Sequence, residues 1–287
     1  MSKPRSNVGA SVRARLLNLA RETRQPLEIL LIRFVLERLL HRLSQTAHAD
    51  RFVLKGAMLL TTWLPHTDRG TRDLDLLGFG GSGEARILGI FREVMGLEAA
   101  DGVTFDVDAL HIDRIREEMT YGGLRLRTTA TLAGARIAVV IDIGFGDSVE
   151  PGLEKIDYPV LLDFPAPSLL AYARETVVAE KFQAMVALGR ANTRMKDFYD
   201  IWILSRSHAF DPDRLAQALA ATFARRETAI PKEVPHALSE AFARDDAKSR
   251  QWIAFVADLP DAPRDLAKVV ADLAVFLMPA AAAARSL

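Results

Sequence analysis

Apolar positions recur at helical spacing near the start of the chain. Val12, Leu16, Leu17 and Leu19 form a stripe over residues 9–20. Leu27, Leu30, Leu31, Phe34, Val35, Leu39 and Leu43 form a wider one over 26–46, where Pro26 suits a first helical turn. The period then shortens. Phe52-Val53-Leu54-Lys55 reads as a strand, Gly56 interrupts it, and Ala57 to Leu64 reads as a helix ended by Pro65. Leu74 and Leu76 alternate with Asp73 and Asp75, as a strand requires. A helix is predicted over 85–96 and strands over 103–113 and 124–132, with Gly122-Gly123 as a turn. Arg136 to Ile143 is a continuous β-branched run and predicts a central strand buried on both faces. Pro151, Pro159, Pro165 and Pro167 mark residues 151–167 as a linker crossing between lobes. From Ser168 onward only helices are predicted, over 174–189, 195–207, 211–225, 231–242, 247–257 and 263–278, with Ala280 to Leu287 as a frayed tail. The pattern thus divides into a helical cap (1–48), a sheet-containing domain (49–165) and a helical domain (166–287), with no internal repeat.

Composition narrows the chemistry. At 287 residues the chain can bury a sizeable core, and its 37 basic and 37 acidic residues balance. Residues 1–50 hold nine Lys/Arg against four Asp/Glu, which reads as a solvated helix face or, alternatively, a nucleic-acid contact. The absence of cysteine excludes disulfides, thiolate nucleophiles and thiolate-bound zinc. No uninterrupted apolar run approaches a membrane span, and Met1-Ser2-Lys3-Pro4-Arg5 does not lead into an apolar signal core, so a cytoplasmic protein without membrane partners is expected.

In an extended strand Asp73 and Asp75 point to one face. Two acids so close repel each other, and a metal ion removes that cost; a solvated edge strand is the bland alternative. Asp106-Val107-Asp108 repeats the spacing without an adjacent Arg/Thr cluster and reads as structural. Asp142, near the end of an apolar strand, is out of place unless paired or bound to a metal, and is the candidate third carboxylate. Gly78-Phe79-Gly80-Gly81-Ser82-Gly83 formally satisfies a dinucleotide-binding fingerprint, but Phe105 to Asp108 and Tyr121 to Leu132 beyond it read as antiparallel hairpins, so a loop is expected. The strand–Gly56–helix junction would leave backbone N–H groups at a helix N-terminus for an anion.

A second constellation lies further along the chain. Lys181 lies mid-helix, and Arg194-Met195-Lys196-Asp197-Phe198-Tyr199-Asp200 opens another helix. There Lys196 and Asp200 are four apart, and Asp197 and Asp200 three apart, so they share a side. Alone this is an exposed ion-paired face. Beside an acidic metal site, Lys181, Arg194 and Lys196 become phosphate contacts.

Taken in order, Phe52-x-Leu54-Lys55-Gly56, Arg69-x-Thr71-x-Asp73-Leu74-Asp75, Ile141-Asp142-Ile143, Ala179-Glu180-Lys181 and Arg194 to Asp200 resemble the AbiEii/AbiGii toxin family, nucleotidyltransferase-like toxins of bacterial toxin–antitoxin and phage-abortive systems. The resemblance spans about residues 30 to 205. It implies an α+β fold of the DNA polymerase β nucleotidyltransferase type, a mixed sheet with flanking helices, plus a C-terminal helical lobe. It implies that Asp73, Asp75 and Asp142 bind Mg²⁺, two ions being expected, and that Lys181 joins the catalytic set. The nucleotide-binding set it implies is Gly56, Ala57, Arg69, Thr71, Lys196 and Asp197, with the acids at the centre of a cleft between two lobes. Ala57 stands where the family often has Gly or Ser, so a hydroxyl contact to phosphate is missing. The implied activity is transfer of NMP from an NTP to an acceptor hydroxyl, RNA and above all the tRNA 3′ end, by a toxin with a cognate antitoxin. Transfer to a small molecule or protein hydroxyl, and a non-catalytic nucleotide-binding regulator, remain alternatives.

Overall fold

The structure, a computed structural model, describes residues 7–64, 70–115, 122–259 and 262–287. They form two compact units. The first holds residues 7–62, 70–115, 122–146 and 155–171, and the second holds 63–64, 147–154, 172–259 and 262–287.

In the first unit, Asn7 caps α1 (Val8–Thr23) by accepting the amide of Ala10, and the helix stops where Arg24 turns left-handed at φ 56°. α2 (Leu27–Ser44) buries Leu30, Leu31, Phe34, Val35, Leu39 and Leu43 as its spacing predicts. Two of its arginines depart from the expected solvated face. Arg38 is 1% and Arg42 3% exposed. Arg38 donates to the carbonyl of Pro165, and Arg42 forks onto Asp101 at 2.8 and 3.1 Å. A guanidinium has enough donors to satisfy several buried acceptors, so these side chains hold α2 in place instead of facing solvent.

After β1 (Phe52–Lys55) come α3 (Gly56–Trp63), β2 (Leu74–Gly78), α4 (Glu84–Gly96), β3 (Val103–Phe105), β4 (His111–Ile115), β5 (Gly123–Leu132), β6 (Ala135–Phe145), β7 (Leu153–Asp157) and β8 (Ser168–Tyr172). The sheet is mixed, in the order β3-β5-β6-β2-β1-β8-β7, with β4 also on β5. β2 runs parallel to β6 and antiparallel to β1, and β8 runs parallel to β1. α1 packs on β5, α2 on β6, and α4 on β3 and β4.

Four expectations are corrected here. β6 is buried on one face only: Ile137, Val139, Ile141 and Ile143 are buried while Arg136 and Ala138 are exposed and Val140 and Asp142 half-buried. Helices cover one side, and the polar alternation is masked in sequence because Ala138 and Val140 occupy the open side. Residues 151–167 are not a bare linker. They contain β7, and Tyr158 is fully buried with its hydroxyl 2.8 Å from Thr61 Oγ1. Ser168 opens β8 and not a helix, because its residues hydrogen-bond to the edge of β1. The 103–113 strand is two strands, broken where Asp106 accepts the amide of Ala109. The loop expected at 79–83 is present, and it serves no dinucleotide fold, since β3, the next strand, is not beside β2 in the sheet.

The second unit is helical: α5 (Arg174–Leu188), α6 (Met195–Ser207), α7 (Pro212–Arg225), α8 (Glu240–Ala243), α9 (Asp246–Phe255) and α10 (Leu266–Ala284). Asp211, Asp245 and Asp265 cap α7, α9 and α10. Over 231–242 the expected helix is replaced by a short turn of helix at His236–Leu238 and by α8, in a stretch carrying Pro231 and Pro235. The expected frayed tail is instead the end of α10, which runs through Pro279 and buries Ala280, Ala281 and Ala284. Among the described residues α10 is the one helix long and apolar enough to cross a membrane. Here it packs on α6 and α7, and its Asp272 accepts from Trp202 Nε1 at 3.0 Å.

Candidate metal centre

The centre of the first unit's open sheet face is a row of charged residues set by strand register. Lys55 on β1 partners Asp75 on β2, Asp75 partners Asp142 on β6, and Asp142 partners Arg125 on β5. Register partners point to the same face, so their side chains line up across four strands. Asp73, two residues before Asp75, adds a third carboxylate. One oxygen from each of Asp73, Asp75 and Asp142 lies within 4.8 Å of the others, and all three residues are half-buried.

Two local features position these acids. Thr71, 8% exposed, sets its hydroxyl 3.2 Å from Asp73 Oδ1, so it serves the carboxylate directly. Gly56 sits at φ +70°, and a Cβ there would come within 1.9 Å of Asp75 Oδ2. The absent side chain is what lets Asp75 lie over the start of α3, where Ala57 occupies the first turn. Arg69 lies outside the described residues.

Three carboxylates converging in a half-dry setting repel one another, and oxygen-only donors at this spacing suit a hard divalent cation. The fit to Mg²⁺ is therefore good on donor chemistry alone. The fourth charge is Arg125, which the sequence reading missed. Its Nε lies 2.6 Å from Asp142 Oδ1 and its Nη2 2.5 Å from Oδ2. The hydrogen bond that the guanidinium donates to Asp142 raises its proton affinity, burial opposes this, and the charges of Asp142, Asp73 and Asp75 reinforce it. A signal for this pair exists in the sequence. Ala133 and Gly134, at φ 48° and 81°, form a two-residue hairpin turn that fixes Leu132 opposite Ala135. Counting back seven residues on each strand puts Arg125 opposite Asp142.

In the second unit, Lys181 on α5 reaches Asp197 Oδ1 at 2.7 Å and Asp200 Oδ2 at 2.8 Å, and Arg194 Nε reaches Asp197 Oδ2 at 2.7 Å. Asp197 and Asp200 are buried, so the expected exposed face is an internal ion cluster, and Asp200 pairs with Lys181 instead of Lys196. Burial pushes the Asp197 carboxyl up, but Lys181 and Arg194 together hold it below the usual carboxylate range. Lys196 is exposed and borders a pocket of about 520 Å³ with Arg194, Gln251 and Phe255.

A model of the family described as nucleotidyl transferase AbiEii toxin, Type IV toxin–antitoxin system, matches residues 38–282. Among solved structures, JHP933 from Helicobacter pylori is 15% identical with a TM-score of 0.51, covering 92% of this chain and 94% of its own. A protein of the same organism assigned as a nucleotidyltransferase is 16% identical with a TM-score of 0.48, over 88% and 93% of the two chains. No curated protein matches the chain.

Proposed function

The chain belongs to the AbiEii nucleotidyl transferase toxin family of type IV toxin–antitoxin systems, and we propose that it transfers a nucleoside monophosphate from an NTP to a hydroxyl of RNA, the tRNA 3′ end foremost, with Mg²⁺ on Asp73, Asp75 and Asp142. Its fold is the α+β nucleotidyltransferase fold, an eight-stranded mixed sheet flanked by helices with helices at the C-terminal end. Membership carries a nucleotide substrate and an antitoxin partner with it. The observation that carries the rest of the reading is the convergence of the three carboxylates on one sheet face.

The reaction forms a bond from the acceptor oxygen to the α-phosphorus and breaks the bond to the β-phosphate oxygen. Pyrophosphate leaves, and the hydroxyl proton is lost to water. Bound divalent metal supplies the positive charge that lowers the acceptor hydroxyl's pKa and offsets charge on the leaving group. Asp73, Asp75 and Asp142 would hold it, with Thr71 orienting Asp73. Gly56 and Ala57 would offer backbone N–H groups to phosphate oxygens at the start of α3. Lys181, Lys196 and Asp197 complete the proposed nucleotide-binding set, and Arg69 would add a further positive charge. With an RNA acceptor and an antitoxin partner, the activity would be cytoplasmic, where arrest of a phage-infected cell would act.

The test is incubation of the chain with each labelled NTP, Mg²⁺ and total RNA, followed by ribonuclease treatment. Label that enters an RNA band and is released by ribonuclease supports the reading. Label on protein or on a small acceptor redirects it to another hydroxyl, and no transfer by correctly folded protein with any NTP removes it.

A further inference from the structure

Arg125 takes both carboxylate oxygens of Asp142 at 2.6 and 2.5 Å, the same oxygens through which Asp142 would serve a metal. This is not a pair sealed in the core, since the Arg125 side chain is 35% and the Asp142 side chain 17% exposed. Nor is Asp142 the only acid in reach of Arg125 by register. On its other side β5 pairs with β4, and there the partner of Arg125 is Asp113. The row across the open face therefore reads Asp113, Arg125, Asp142, Asp75, Lys55 over five strands. Arg127, two residues on, already holds Asp113 in an ion pair. A guanidinium released by Asp142 would find an acid on the neighbouring strand without leaving the row.

The trio has a charge problem in the absence of metal, because three carboxylates lie within 4.8 Å. Arg125 is placed to relieve it. A divalent cation bound among the same acids would relieve it as well, and would repel the guanidinium. The two cations thus compete for one carboxylate.

We propose that Arg125 is a resident counter-cation of the acid trio, holding Asp142 in the metal-free protein and yielding one or both of its oxygens when a divalent cation binds. This rests on the reading of the trio as a metal centre. Arg125 is then a positioning residue, acting through Asp142 and setting how much metal is needed to bring the third acid into play. It makes the site select against singly charged ions, because a monovalent ion supplies no more charge than the arginine it displaces.

The experiment is calorimetric titration of the full chain with Mn²⁺, without nucleotide, for the wild type, Arg125→Met, Arg125→Gln and Asp75→Asn. Removing the competing charge should make both Arg125 variants bind Mn²⁺ tighter by roughly five- to tenfold, the scale on which one neighbouring opposite charge shifts an acid's ionisation by about one unit. Their metal-free melting temperature should fall while the rise on adding Mn²⁺ grows. Arg125→Gln keeps a hydrogen bond to Asp142 and covers the case in which the methionine variant does not fold. Equal or weaker Mn²⁺ binding in the variants overturns the proposal, because Arg125 would then pre-organise Asp142 for the metal instead of competing with it. No Mn²⁺ binding by either the wild type or the variants also overturns it. Binding that survives intact in Asp75→Asn places the ion elsewhere, which defeats the metal-centre reading itself and the exchange with it.

Discussion

Gly56 and Asp75 occupy each other's space: a Cβ on the glycine would stand 1.9 Å from the carboxylate oxygen Oδ2. The glycine also holds φ +70°, which an L side chain resists. Gly56→Ala must therefore move either the helix start or the acid. The expected result is a loss of about 1–3 kcal/mol in denaturant unfolding and a fall in nucleotide transfer of more than about tenfold. Wild-type activity in the alanine variant would show that Asp75 need not lie over this turn.

The three acids are expected to separate in stability while agreeing in activity. Asp73→Asn, Asp75→Asn and Asp142→Asn should each lower transfer by about a thousandfold or more, as removal of a ligand from such a centre does. In metal-free protein, Asp73→Asn should raise the melting temperature, because it removes repulsion within the trio. Asp142→Asn should lower it, because Arg125 loses its partner. Melting curves in a chelator, set beside rates in Mg²⁺, make the comparison.

Lys181 joins two buried acids in the second unit. Lys181→Met removes the cation that Asp197 and Asp200 share, leaving Asp197 to Arg194, and the unfolding free energy should drop by about 3–5 kcal/mol. Adding Asp197→Asn should restore part of the loss, a coupling that a double-mutant cycle measures directly. Because Asp197 is held below its ordinary range, the cluster's contribution is present above the unfolded carboxyl value and is lost as pH falls through the folded one. The cluster should therefore weaken in acid, and Asp197→Asn should flatten that arm of the stability curve.

Glu37 behaves in the opposite sense. Burial raises it from 4.5 to about 7, even though Arg33 and the Leu161 amide pull it down. Between those values the folded protein keeps a proton that the unfolded chain gives up, so stability falls as pH rises from about 4.5 to about 7. The full effect is about 3 kcal/mol. Glu37→Gln carries no such proton, so the wild-type advantage over the variant should shrink across that window in urea melts. A constant difference between the two proteins would refute the shift.

Much of the fold was legible before any coordinates. The helical periods of α1, α2, α5, α6 and α7 are long and regular, so local pattern placed them. The D-x-D pair and Asp142 stood out because acids in apolar strands are costly unless they are used. What local pattern misjudged was everything decided by a remote neighbour. β8 is a strand because the edge of β1 was open to it, and α10 extends past Pro279 because its alanines are buried. Arg38 and Arg42 read as solvent-facing and are buried, because their acceptors lie far along the chain, at Pro165 and Asp101.

The sequence by itself determined the chemistry available: acids without cysteine, a glycine at the strand–helix junction, and lysines on the later helices. It also determined one long-range relationship, since the Ala133-Gly134 turn fixes Arg125 opposite Asp142 by counting. Only the tertiary structure decided that Asp75 and Asp142, distant in sequence, share a row. Their pairing is between parallel strands β2 and β6, whose connection passes through α4, β3, β4 and β5. No short turn sets such a register; it is set by packing helices on one face of the sheet, which leaves the acids together on the other.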